Sequence, residues 1–143
     1  MTRTRTGGCV CGRVRYTVTG PLRPIVACHC RECRRQSSHY WAATRARRED
    51  LHLDRDEALR WFDSSPGVRR GFCSHCGSAL FFDRETAEGV TICAGSLDEP
   101  TGLRLVQHIY TGEAGDYYTI ADGLPCHEAA GPVPAIPERE EPE

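Results

Sequence analysis

A chain of 143 residues with a net charge of −2 has room for one domain and one hydrophobic core. It holds no apolar run long enough for a membrane helix, and its basic first six residues lead straight into Gly7-Gly8-Cys9 without the apolar stretch of a secretory signal. All eighteen basic residues are arginine, which excludes a lysine imine and with it pyridoxal-phosphate and Schiff-base aldolase chemistry.

The charge is unevenly spread. Residues 128–143 carry five acids and one arginine, whereas residues 1–127 carry fifteen acids and seventeen arginines. That is no polybasic footprint, so neither nucleic acid nor a membrane is an expected partner, although a weakly positive body accepts a small anion. The expected compartment is the cytoplasm, where clustered cysteines act as metal ligands rather than disulfides. Assembly into a homo-oligomer is compatible with the sequence.

After the Gly7-Gly8 turn, Cys9-Val10-Cys11 and residues 13–18 alternate like a half-exposed strand, ended by Gly20-Pro21. The apolar run Pro24-Ile25-Val26-Ala27 predicts a strand ending in Cys28-His29-Cys30. Residues 33–37 read as a helical turn or a loop, and residues 39–44 as a strand. Residues 47–62 are ambiguous between a helix opened by Arg48-Glu49-Asp50 and two strands around the polar turn at 54–57, and alternation favours the strands. Ser64-Ser65-Pro66-Gly67 is a turn, from which residues 68–72 lead into Cys73-Ser74-His75-Cys76-Gly77, with 79–82 returning as a hairpin partner. Residues 89–95 and 103–110 complete the strands. The segment 129–143, rich in proline and glutamate, is expected to be disordered. The domain map is therefore a flexible N-terminus at 1–6, a folded domain at 7–127 and an acidic tail at 128–143. Many short strands with turn punctuation predict a mainly β fold.

Nine cysteines carry the chemistry. Cys73-x-x-Cys76-Gly77 places two thiols across a tight turn, with a glycine free to take positive φ after the second. Cys9-x-Cys11 offers a second same-face pair. Together these four make a closed thiolate site, and closed four-cysteine zinc sites are structural, contributing on the order of 10 kcal/mol to folding in small domains. Cys28 and Cys30 share one strand face with His29 on the other, and a turn through Arg31 and Glu32 brings Cys33 back beside them. Zinc held by three protein ligands keeps one position for water or substrate, as catalytic sites do. A closed site is the alternative, its fourth ligand drawn from His39, Cys93, His108 or Cys126. Cys93 otherwise reads as a small buried hydrophobe, and Cys126 as incidental. Arg34 and Arg35 are candidates to offset the thiolate charge or to hold a substrate carboxylate. His52 and His75 read as surface residues, and Gly95-Ser96-Leu97-Asp98 as a turn.

Gly7-Gly8-Cys9-Val10-Cys11-Gly12, Cys28-His29-Cys30-Arg31-Glu32-Cys33-Arg34 and Phe72-Cys73-Ser74-His75-Cys76-Gly77-Ser78-Ala79-Leu80 resemble the glutathione-dependent formaldehyde-activating enzyme (GFA) family, which includes centromere-protein-V-like (CENP-V) proteins. Gly95-Ser96-Leu97-Asp98, His108-Ile109-Tyr110 and Asp122-Gly123-Leu124-Pro125 look like its later motifs, with Tyr117-Tyr118 where the pattern would carry tryptophan. The resemblance spans about residues 7–127. It implies a β-tent (Mss-four-like) fold of short antiparallel strands and two zinc ions. One would be structural on Cys9, Cys11, Cys73 and Cys76, the other catalytic on Cys28, Cys30 and Cys33. It further implies a carbon–sulfur lyase acting on the adduct of a small thiol such as glutathione with an aldehyde such as formaldehyde. The rival reading is a non-catalytic binding module whose metals only hold the fold.

Overall fold

The computed structural model describes residues 3–139. The strands are β1 (Arg5–Gly8), β2 (Arg15–Val18), β3 (Ile25–Cys28), β4 (Trp41–Arg47), β5 (Leu51–Arg55), β6 (Leu59–Ser65), β7 (Val68–Cys73), β8 (Ala79–Arg84), β9 (Gly89–Cys93) and β10 (Leu105–Ile109). One helix, α1 (Arg31–Ser37), interrupts them, and short 3-10 turns lie at Arg48–Asp50, Ala94–Ser96 and Thr111–Glu113. Among the described residues no helix is long and apolar enough to cross a membrane.

The strands form two sheets. A three-stranded sheet runs β1-β2-β5, and a seven-stranded sheet runs β10-β3-β4-β9-β8-β7-β6. Neighbours are antiparallel except at one edge, where β10 lies parallel to β3, so the expected all-antiparallel arrangement is corrected there. A parallel pair requires a long crossover, and the chain between Cys28 and Leu105 supplies it.

Alternation divides the large sheet into two faces. One face packs on the small sheet: Val14, Tyr16 and Val18 meet Phe81 and Ile92 in the main core. Each such side chain contributes roughly 2 kcal/mol by leaving water. Tyr16 meets Phe81 edge-on with ring centroids 5.4 Å apart, and its hydroxyl reaches Ser96 Oγ at 2.6 Å. A Cβ on Gly7 would sit 2.4 Å from that hydroxyl, so only glycine lets β1 lie this close.

The opposite face is built in rows by the register. Cys28 pairs with Trp41, and Val26 with Ala43, which pairs onward with Cys93. Arg45 pairs with Thr91, Thr91 with Phe82, and Phe82 with Arg70. Trp41, Ala43 and Cys33 form a second, smaller core on this face, joined by Cys28, Cys30, Phe82 and Cys93.

Four expectations change in detail. Residues 31–37 are helical because Cys30 caps the first turn and Ser38, with φ 72°, closes the last. The two strands flanking residues 54–57 exist, but β5 belongs to the small sheet and β6 to the large one. The tail departs most. Residues 128–139, expected to be disordered, lie along the body: Ile136 is 6 % exposed, Gln107 Nε2 donates to the Pro132 carbonyl at 2.9 Å, and Arg139 reaches Asp50 at 2.6 Å. Composition counts prolines and glutamates, whereas one buried isoleucine and a few carbonyls with partners suffice to seat a strap. At the other end, Arg5 and Thr6 of the expected flexible N-terminus lie in β1. Met1, Thr2 and residues 140–143 fall outside the described residues.

Candidate metal centres and the cleft beside them

The first thiol group joins two turns far apart in the chain, with 62 positions between Cys11 and Cys73. Cys9, Cys11, Cys73 and Cys76 place their sulfurs within 4.8 Å of one another. Cys9 and Cys11 Sγ are 3.5 Å apart, and Cys11 and Cys73 Sγ 3.7 Å. A tetrahedral zinc with bonds of ~2.3 Å sets its sulfurs ~3.8 Å apart, so these spacings fit the ion. The backbone is shaped for thiolates: Val14 N–H donates to Cys9 Sγ at 3.2 Å and Cys76 N–H to Cys73 Sγ at 3.5 Å. Gly77, with φ +79°, lets its own N–H close the turn on the Cys73 carbonyl at 2.8 Å. Ser78, through its hydroxyl and its backbone, holds the Cys76 thiol down to about 5.

The second group forms where β3 passes into α1. Cys28 is the last residue of β3, Cys30 is the N-cap whose sulfur accepts the Cys33 N–H at 3.3 Å, and Cys33 is buried in the first helical turn. These three sulfurs also lie within 4.8 Å of one another. Hydrogen bonds from Cys28 and then Cys33 hold Cys30 down to about 2, while the same bond to Cys30 pushes Cys28 up. Three thiols this close cannot all ionise on their own; a divalent cation removes that conflict. The donor set therefore fits a metal ion, and soft thiolates suit zinc.

None of the four candidate fourth ligands joins this group. Cys93 packs against it without entering the ligand set, and Cys126 is exposed. His39 lies against the rings of Tyr117 and Tyr118. His108 is held in a chain of hydrogen bonds buried at its centre: its Nδ1 meets His29 Nε2 at 2.8 Å inside the protein, while its Nε2 meets the exposed Asp122 Oδ2 at 2.7 Å and His29 Nδ1 bonds the Tyr118 hydroxyl. Burial, and then the neighbouring His108 and His39, push His29 down to about 4, so the ring is neutral. For a neutral His108 that donates to Asp122, the protons run one way, from Tyr118 to His29 and from His29 to His108. The two late motifs around His108 and Asp122 thus meet behind the thiols, a role that no local spacing reveals.

A cleft of about 500 Å³ opens on the face carrying the second group. Cys28, Cys30 and Cys33 line it together with Trp41, Phe82 and Val26, and Ala130 and Val133 of the tail strap form part of its wall. Five arginines border it (Arg23, Arg31, Arg45, Arg70 and Arg84) against two acids, Glu32 and Glu113. Arg34 and Arg35 are not among them. Successive helical residues turn by ~100°, so with Cys33 facing inward the next two side chains point elsewhere. The cation beside the thiols is Arg70, 4 % exposed, from the β7 end of the row that contains Arg45.

These features define a small, mainly β protein with two cysteine groups able to hold metal ions, one of them open to a cleft. Residues 4–113 match the family described as "Glutathione-dependent formaldehyde-activating enzyme", and the chain belongs to that GFA family. The fold is also similar to the crystal structure of a Rhodobacter sphaeroides protein, with 26% sequence identity and a TM-score of 0.55 over 66% of this chain and 88% of that one.

Proposed function

We propose that the protein is a zinc-dependent carbon–sulfur lyase that makes or breaks the adduct of a small thiol, glutathione or a similar one, with an aldehyde such as formaldehyde. The observation that carries this reading is the convergence of Cys28, Cys30 and Cys33, with no fourth protein ligand among the described residues, on the wall of a cationic cleft. In this reading Cys9, Cys11, Cys73 and Cys76 hold a structural zinc and the three-thiol group a catalytic one. The catalytic zinc would supply a Lewis-acid position for a thiolate or an aldehyde oxygen. In the reaction, the thiol sulfur forms a bond to the carbonyl carbon and the thiol proton ends on the former carbonyl oxygen; the reverse step breaks that bond and returns the proton. The chain's own contribution is to bind and orient. Trp41 and Phe82 wall the reacting end, and the arginines hold an anionic thiol in place. Nine unpaired cysteines suit a reducing, cytoplasmic compartment.

Calorimetry of thiol binding to the zinc-loaded protein, in two buffers of different ionisation enthalpy, tests this. Binding of glutathione or mercaptoethanol should release one proton and strengthen as pH rises toward ~8.5, the value of an unperturbed thiol. If neither thiol binds at millimolar concentration, or if binding survives loss of the second zinc, the protein is a binding module instead.

A further inference from the structure

Away from the thiols, the cleft carries a second chemical feature. Arg23 is 4 % exposed, and its guanidinium meets only carbonyls: Nη2 donates to Ala43 at 3.0 Å and Nε to Pro24 at 3.3 Å. Beside it, Arg45 donates Nε to Thr91 Oγ1 at 3.4 Å, and the Arg23 N–H bonds the Arg45 carbonyl at 3.1 Å. Among the described residues neither arginine forms a salt bridge; Glu88 influences Arg45 without bridging it. Burial, reinforced by Arg45, pulls Arg23 down to about 10. Two adjacent cations, one buried and neither paired, are costly in a folded protein unless an anion joins them. Glu32 reaches Arg70 at the opposite end of the row, so it does not serve this pair.

We propose that Arg23 and Arg45 form the anion pole of the cleft, taking a carboxylate of the ligand whose sulfur sits at Cys28, Cys30 and Cys33. The inference rests on the reading above that a small thiol binds at that group. It adds which residues select among thiols and the span they require. Trp41 pairs with Cys28, and Arg45 lies four residues further along β4, about 13 Å at ~3.3 Å per residue. A backbone offset of that size fits an extended anionic thiol whose carboxylate stands several bonds from its sulfur. Planar guanidinium forks favour a carboxylate at this pole through paired, charge-assisted hydrogen bonds.

The test compares glutathione with mercaptoethanol by calorimetry on the zinc-loaded full chain and on Arg45→Gln and Arg23→Gln. Glutathione should bind the wild type more tightly than mercaptoethanol. Arg45→Gln should weaken glutathione on the order of tenfold and leave mercaptoethanol within about twofold. Arg23→Gln, if it folds, should do the same; Arg45, being only half-buried, keeps the test decisive if it does not. Equal affinity of the wild type for both thiols, or parallel weakening of both in Arg45→Gln, would overturn the anion pole and leave the thiol reading standing. Binding of neither thiol to the wild type would overturn both.

Discussion

Arg70 Nη2 lies 3.7 Å from Cys33 Sγ, and this contact joins β7 to the three-thiol group across the sheet. The guanidinium is enclosed by aromatic faces, 4.9 Å from the Phe82 centroid and 5.6 Å from that of Trp41. Its Nε and Nη1 are buried without partners, so its charge is directed at the thiols and at Glu32. Three thiolates on a divalent ion leave a net charge of −1, which Arg70 is placed to offset.

Arg70→Met should therefore weaken metal binding at the second group by about tenfold, the loss of one charge-assisted hydrogen bond. The first group, held by other residues, should keep its affinity. Competition with a chelator that releases the two ions in separate steps measures this. Arg70→Lys should restore the affinity only in part, because an ammonium does not reproduce the planar fork between two rings. Unchanged affinity in Arg70→Met would mean that the contact carries no weight.

The two thiol groups should differ in what their loss does. Zinc content should be two per chain in the wild type, and also in Cys93→Ala and Cys126→Ala. Cys73→Ser breaks a closed site that ties the start of the chain to the end of β7, so it should lose the cooperative unfolding transition. Cys30→Ser should stay folded and hold one zinc. If Cys30→Ser unfolds as fully as Cys73→Ser, the division into structural and catalytic roles is wrong.

The tail strap should be measurable as stability. Ile136 is 6 % exposed, with its Cδ1 beside Gly89. Ile136→Ala should cost about 2 kcal/mol in denaturant unfolding, the low end for a buried isoleucine, since a strap can shift to fill the space. Limited proteolysis should cut the variant after residue 128 faster than the wild type. Equal cutting rates would show that the strap is not held through this side chain.

The pH dependence should include a small contribution from Asp98. Arg15, at 2.5 Å, and then Thr6 hold its carboxyl below the ordinary carboxylate value. A carboxyl lowered in the folded state contributes stability that is present above its unfolded pKa, ~3.9, and is lost as pH falls through the folded value. Asp98→Asn should cost under about 1 kcal/mol at neutral pH, because the pair is partly exposed. The difference from wild type should then close as the pH is taken below the carboxylate range. Denaturant melts at neutral and acid pH give the comparison; a gap that widens in acid would reverse the sign argued here.

How much of this was legible beforehand follows from the range of each interaction. The cysteine pairs are local: spacings of two and three residues bring two sulfurs together through one turn whatever the rest of the chain does. Period-two patterning likewise marked the hairpin of β7 and β8, and turn residues placed its ends. Where local signals were short or balanced, they failed to decide. Seven residues of α1 are too few for a helical period, and the alternation of β5 and β6 does not say that they enter different sheets. Arg34 and Arg35 adjoin Cys33 in the chain, yet helical rotation turns them from the cleft.

The sequence by itself determined the mainly β character, the two thiol groups as chemistry, and the absence of any lysine nucleophile. The tertiary structure alone decided which cations line the cleft. Arg70 reaches Cys33 from 37 residues away, and Arg23 and Arg45 become neighbours through the contact between the start of β3 and β4. The seat of residues 128–139 along the sheet was likewise invisible in composition. The physical reason is common to these cases: strand register, set by burial of the opposite face against Tyr16 and Val18, fixes which long side chains share a row, and register is a property of the packed sheets rather than of any one strand.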